Sequence, residues 1–349
     1  MRSCLLVIIV SFTFGNIQFI PHDLYIGDKG ILSLHSSDIN GDGTIEILYS
    51  SIENNSITWL ENKGNGSFAP HIISSKINGS ISIVPSDLNH DGKMDIVSAS
   101  MYNNRINWYK NIGNGQFSRK TIINNTKGPW TFDVSDLDDD GDLDIISVHD
   151  DDETIVWYIN DGNQNFRSKI IISDVSNIWN LYTNDADQDG DMDLITKTGD
   201  GNITTWYENN GSERFTPHIL TDFINPNYFQ TTYDIDQDGD LDVFPLLIDN
   251  EQIIYYENVD STDMMPHEII SVQMGISAIT RLDVDADGDP DIISTSYNNN
   301  SLIWYENKAV HGCMDVDACN YNPKTQWNDN NCQYAATHFD CSGNCIDAL

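Results

Sequence analysis

The sequence predicts an all-β fold: a six-bladed β-propeller of four-stranded antiparallel blades, followed by a small disulfide-rich tail. Three observations carry this. A nine-residue stretch, clearest as Asp234-Ile235-Asp236-Gln237-Asp238-Gly239-Asp240-Leu241-Asp242, occurs six times, and the starts at Asp38, Asp87, Asp136, Asp185, Asp234 and Asp283 are 49 residues apart. Around each copy lie four short runs of Ile, Val, Trp and Tyr, separated by Asn, Gly and Asp and without helical periodicity. Such runs read as strands joined by hairpins, and an uninterrupted period of this length is one supersecondary unit repeated, here a four-stranded blade. After residue 308 the composition changes, and five of the six cysteines follow.

The nine-residue stretch has the chemistry of a cation loop. Oxygens at positions 1, 3 and 5 converge only if the backbone curls tightly, and glycine at position 6 permits that curl. A carbonyl at position 7 and a carboxylate at position 9 would complete a shell of hard oxygens, which suits Ca²⁺ better than Mg²⁺ or a transition metal. The candidate ligands are Asp38, Asn40, Asp42, Thr44 and Glu46; Asp87, Asn89, Asp91, Lys93 and Asp95; Asp136, Asp138, Asp140, Asp142 and Asp144; Asp185, Asp187, Asp189, Asp191 and Asp193; Asp234, Asp236, Asp238, Asp240 and Asp242; and Asp283, Asp285, Asp287, Asp289 and Asp291. Up to six ions are expected, held more weakly in the first two loops, where Asn40 and Asn89 replace an acid. An EF-hand is excluded: position 12 is never Glu, and a strand-like run follows each loop.

Formal net charge is −37, and half of the 54 acidic residues lie in these six loops. A field of that sign repels nucleic acid and anionic membranes. Residues 1–15 read as a secretory signal, with Arg2, an apolar run from Leu5 to Val10, and small residues at Thr13 and Gly15. The run is too short to span a bilayer, so the expectation is a secreted or cell-surface protein without a membrane span.

Each unit follows one plan. In the second it runs Phe68–Ile73, then Ser80–Asp87, the loop, Met94–Ser98 and Ile106–Asn111. The six Asp-x-[Asp/Asn]-x-Asp-Gly-x-x-[Asp/Glu] loops, with Trp-Tyr-Glu-Asn at Trp206–Asn209 and Trp304–Asn307 and Gly-x-Gly-x-Phe at Gly64–Phe68 and Gly113–Phe117, resemble the FG-GAP or VCBS repeats, which share their blade with integrin α-subunit propellers. The resemblance covers residues 16 to about 308. It implies that the ion loop joins the innermost strand of a blade to the second. Phe19-Ile20-Pro21-His22 then aligns with the outer strand Phe68-Ala69-Pro70-His71, while the last unit has no outer strand of its own. The N-terminal strand is expected to fill that place and close the ring, removing an open edge.

Trp59, Trp108, Trp157, Trp206, Tyr255 and Trp304 share one repeat position and are expected to pack between blades. His22, His71, His218 and His267 share another, as do the hairpin asparagines Asn62, Asn111, Asn160, Asn209, Asn258 and Asn307. The tail, 309–349, holds Cys313, Cys319, Cys332, Cys341 and Cys345 without metal-site spacing, which points to disulfides of unread connectivity. Its Gly312–Pro323 and Asp340–Cys345 segments resemble a cysteine module of secreted marine Bacteroidetes proteins. The stop at Leu349 and the odd cysteine depart from that pattern, leaving truncation or pairing with another molecule open.

No hydrolase elbow, zinc helix or phosphate loop is present in the sequence. The expected function is a calcium-binding adhesion or binding module for an extracellular glycan or protein; the alternative is a carbohydrate-active propeller, a polysaccharide lyase or sugar dehydratase. A site should lie where the blades differ. On the face opposite the ion loops, the position opening each innermost strand reads Leu32, Ile81, Trp130, Trp179, Tyr228 and Ser277. The arc Trp130, Trp179 and Tyr228 is the candidate ligand surface.

Overall fold

The computed structural model describes residues 19–24, 27–64, 66–198, 203–212, 214–220, 232–233, 242–243, 253–260, 263–270, 276–297, 300–308, 311–313, 315–322, 327–328, 331–335 and 341. The chain opens with β1 (Phe19–Asp23). The first full unit is β2 (Ile31–Ser37), β3 (Glu46–Ser51), β4 (Ser56–Asn62) and β5 (Phe68–Ser74), and the second is β6 (Ser80–Ser86), β7 (Asp95–Ser100), β8 (Arg105–Gly113) and β9 (Gln116–Asn124). The third is β10 (Pro129–Ser135), β11 (Asp144–His149), β12 (Thr154–Asn160) and β13 (Phe166–Ser173). The fourth is β14 (Ile178–Asn184), β15 (Asp193–Thr198), β16 (Thr204–Asn209) and β17 (Phe215–Leu220). Each unit forms one sheet in sequence order with antiparallel neighbours.

The last strands, β22 (Ile276–Leu282), β23 (Asp291–Ser296) and β24 (Ser301–Asn307), form a sheet with β1 at its edge. The register repeats that of a complete unit: Phe19 faces Asn307 and His22 faces Trp304, as Phe68 faces Asn62 and His71 faces Trp59. Between lie β18 (Thr232–Tyr233), β19 (Asp242–Val243), β20 (Ile253–Asp260) and β21 (Asp263–Ile270), also in one sheet. Much of this unit lies outside the described residues. The described residues thus present five blades along their length where the sequence predicts six. The difference is this unit, whose joints to its neighbours also fall in the undescribed runs, so closure of the ring is not established.

Why each unit folds as a blade is visible in its burial. The second strands β3, β7, β11 and β23 are buried at every residue, because they lie inside a sheet that packs on both faces. The fourth strands have mostly exposed or half-buried residues, as an edge requires. The core is divided between blades. Ile39, Leu48 and Trp59 pack on Ile83, Ile96 and Tyr109 of the second blade, and Ile146 and Trp157 pack on Leu181, Leu194 and Tyr207 of the fourth. Leu282, Val284, Ile293 and Trp304 pack on Ile31, Leu34 and Ile47, so the last blade abuts the first. A Cβ on Gly66 would lie 2.8 Å from Trp304, just as one on Gly115 would lie 2.8 Å from Trp59: each indole covers the glycine turn of the next blade.

In the tail, β25 (His311–Gly312) and β26 (Trp327–Asn328) pair in parallel. The disulfides are Cys313–Cys332 and Cys319–Cys341, a connectivity spacing alone leaves open. Among the described residues no helix is long and apolar enough to cross a membrane.

Candidate functional site

The cation loops begin where an innermost strand ends. Position 1 folds back onto the loop's own backbone. Asp136 accepts the N–H groups of Asp140 and Gly141 at 3.1 and 2.9 Å; Asp185 accepts those of Asp189 and Gly190, both at 3.1 Å. Asp87 and Asp283 repeat the pattern. The glycine at position 6 takes φ between +78° and +100° in the described loops (Gly43, Gly92, Gly141, Gly190, Gly288). Position 4 is left-handed too, at Gly41, His90, Asp139, Gln188 and Ala286, a conformation that side chains disfavour and that the varied residues there conceal in the sequence.

This curl gathers Asp136, Asp138 and Asp140; Asp185, Asp187 and Asp189; and Asp283, Asp285 and Asp287 so that one carboxylate oxygen from each lies within 4.8 Å of the others in its set. Three carboxylates so close repel one another unless a cation or protons intervene, and an all-oxygen set of this charge fits Ca²⁺. Loop 38–46 differs: the Asn40 amide donates to Asp42 at 3.0 Å and to Glu46 at 3.1 Å. At position 7, Asp142 and Asp191 lie against Gly162 and Gly211 of the outer hairpins. Asp234, Asp236, Asp238, Asp240 and Tyr228 lie outside the described residues, as does the side chain of Asp242.

Position 9 does more than its place in the motif suggests. Asp95, Asp144, Asp193 and Asp291 are fully buried. Asp144 accepts the Asn160 N–H at 2.7 Å, the Trp157 indole N–H at 2.7 Å and, from its own loop, the Leu137 N–H at 3.4 Å. Asp95 accepts those of Asn111 and Trp108 at 2.6 and 2.9 Å. Burial pushes the Asp95 carboxyl up to about 6 and those of Asp144 and Asp291 up to about 7, although these N–H bonds pull the other way. Glu46 accepts the Ile39 N–H at 2.8 Å and the Thr44 hydroxyl at 3.1 Å, and the Trp59 indole nitrogen has no hydrogen-bond partner. The hairpin asparagines are clasps as well. The Asn111 side-chain amide donates to the carbonyl of Ile39, in the first blade's loop, at 2.8 Å and to that of Met94 at 3.0 Å.

The opposite face varies. The strand-opening position sits at a bulge in every described innermost strand: register shifts fall at Leu32, Ile81, Trp179 and Ser277, and across Trp130 and Thr131. A bulge re-aims a side chain out of the regular pleat. Trp179 is 48% exposed, whereas Ile81 is only 6% exposed and Ser277 is bound to the Ile31 carbonyl and Thr295. Trp130 is half-buried, and its ring centre lies 6.1 Å from that of Trp179, tilted by 47°. The structure therefore brings together two of the three predicted aromatics. Beside them the exposed Asp150, Asp151, Asp152 and Glu153 form a turn held by the Gly128 and Lys127 carbonyls, which accept the N–H groups of Asp150 and Asp151 at 3.1 and 3.2 Å. Beneath, His149 is hydrogen-bonded to Tyr158 at 3.1 Å, and burial lowers the imidazole pKa.

Comparison with known proteins agrees with this architecture. The FG-GAP-like repeat matches residues 38–98, 87–147 and 136–196. No curated protein matches the sequence. A catalytically inactive virginiamycin B lyase from Staphylococcus aureus superposes with a TM-score of 0.51 at 13% identity, covering 82% of this chain and 99% of that one. A luciferin-regenerating enzyme gives 0.51 at 11%, covering 83% and 96%. An Agrocybe aegerita lectin that recognises non-reducing terminal N-acetylglucosamine gives 0.45 at 17%, covering 80% and 84%. At such identities the two superpositions above 0.5 speak for the fold alone. The three matched repeats overlap, each running from one ion loop through the next blade's ion loop to the strand that follows it, and residues 38–196 are FG-GAP-like repeats folded as consecutive propeller blades.

Proposed function

We propose that this is a secreted, calcium-stabilised six-bladed propeller that acts as a binding or adhesion module, taking a glycan or surface protein on the face of Trp130 and Trp179. The observation that carries the ligand reading is the exposed Trp179 beside Trp130, where other blades place Ile81 or Ser277. Aromatic faces stack on sugar C–H surfaces, and the neighbouring carboxylates suit hydroxyl or cationic groups. Calcium in as many as six loops holds the opposite face. The pairing of β1 with β24 and the packing of Leu282 and Trp304 on Ile31 and Leu34 support six blades closed by the N-terminal strand. The boundaries follow as a signal peptide over 1–15, the propeller over 16–308 and the cysteine module over 309–349; two disulfides suit an oxidising compartment.

A glycan array probed with the calcium-loaded protein and with Trp179→Ala tests this: binding by the first and loss in the second is expected, and equal binding by both removes the ligand from this face. A second reading is enzymatic. His149 and Tyr158 form a titratable pair unique to the third blade, but both are buried below the aromatic face. Release of unsaturated or dehydrated sugar from polysaccharide, abolished by His149→Ala, would favour that reading.

A further inference from the structure

The cation loops are not equivalent, and the residue that separates them lies outside the nine-residue motif. Two positions after the third-strand aromatic, the blades carry Glu61, Lys110, Ile159, Glu208, Glu257 and Glu306. In the second blade the Lys110 ammonium reaches into the loop and pairs with Asp91, at position 5, at 3.1 Å. That loop also carries Asn89 at position 3 and Lys93 at position 7. Loop 185–193 has five aspartates, and Glu208 stands beside it. Lys308 also approaches a loop, 3.9 Å from Asp285, but it is paired directly with Glu306 and brings no excess positive charge.

We propose that loop 87–95 takes no divalent cation because the Lys110 ammonium stands in for one, which leaves at most five of the six loops for calcium. The inference rests on the calcium reading of the other loops. A divalent ion entering loop 87–95 would meet an ammonium already on one of its ligands, and calcium affinity falls as the ligand set loses charge. The loop keeps its curl without metal, since Asp87 still accepts the N–H groups of Asp91 and Gly92 at 2.9 and 2.7 Å.

Hydrogen exchange read by mass spectrometry, with calcium and with chelator, tests this on the intact protein. Chelation should speed exchange in 185–193 and 283–291, by about a hundred-fold from a calcium level one hundred times Kd, and leave 87–95 within about two-fold. Equal acceleration in 87–95 overturns the proposal. Lys110→Glu should make 87–95 chelator-sensitive and add one calcium ion per molecule by native mass spectrometry. Lys120→Glu makes the same charge change on a lysine that lies over Trp108, and it should add none. Lys110→Gln, which removes the ammonium without adding charge, carries the same direction should Lys110→Glu fail to fold. If no wild-type loop responds to chelation, the calcium reading of those loops falls. The role of Lys110 is then decided by the variants alone: a calcium-dependent 87–95 in Lys110→Glu supports it, and an unresponsive one overturns it.

Discussion

On the ion-loop face, Asp87, Asp136, Asp185 and Asp283 each accept the N–H groups of positions 5 and 6, and Asp95, Asp144, Asp193 and Asp291 each accept that of a third-strand asparagine. On the other face one repeat position holds Leu32, Ile81, Trp130, Trp179 and Ser277, buried in one blade and half in solvent in another. Both faces are the ends of the same strands. Where every blade repeats an arrangement, it serves what all blades need, which is folding and packing. Where one pair of blades departs, a packing need shared by all blades no longer explains the residue, and the proposed ligand face rests on that departure.

The largest expected effect separates the faces by metal. With calcium at one hundred times Kd, each occupied loop adds about 2.7 kcal/mol to stability, so chelation should lower Tm sharply while leaving the Trp130–Trp179 face in place. An unchanged melting curve after confirmed metal removal would break the comparison at its first side. Next is the buried carboxylate. Asp144→Ala strands the Trp157 indole N–H and the Asn160 and Leu137 amides, at a cost of about 4 kcal/mol in chemical denaturation. A loss below about 1 kcal/mol would mean that position 9 is only a metal ligand.

The pH dependence sharpens the same point. Folding raises the Asp95 and Asp144 carboxyls to about 6 and about 7, above the unfolded value near 4, so the folded state holds protons that the unfolded chain has released. Their contribution is present below about pH 4 and is lost as pH rises through 6 to 7. In chelator, Tm should therefore fall from pH 5 to pH 8, and calcium should restore it; a metal-free Tm that climbs over that range contradicts the burial argument. The smallest effect on stability is expected on the other face. Trp179→Ala should cost about 0.5 kcal/mol, against about 3–5 kcal/mol for the fully buried Trp157→Ala. Similar losses in both would return Trp179 to the core.

Much of this was legible in the sequence because it is local. The 49-residue period, the Asp-Gly loops and the runs of Ile, Val and Trp fixed the blade, its ion loop and the strand it lacks at the end, and β1 pairs with β24 in the expected register. What was hidden acts across the chain. The bond from Trp157 to Asp144 needs the hairpin folded, the Asn111 clasp to Ile39 spans 72 residues, and the bulge at Trp179 appears only once β14 is paired with β15. The left-handed position 4 escaped for another reason: glycine marks it only in the first loop, and His90, Gln188 and Ala286 give no such sign.

The pairing of β1 with β24 has a consequence in time. His22 meets Glu306, 284 residues further along, so β1 leaves the ribosome long before its partner does. At 5–20 residues per second, that leaves β1 waiting roughly 15–60 s during synthesis. Its sequence suits the delay. Pro21 cannot donate to a neighbouring chain, and a five-residue strand offers little edge to a wrong partner. The propeller's weak moment is therefore set by translation, and slowing elongation over the last blade should raise aggregation of the nascent chain more than slowing it over the second.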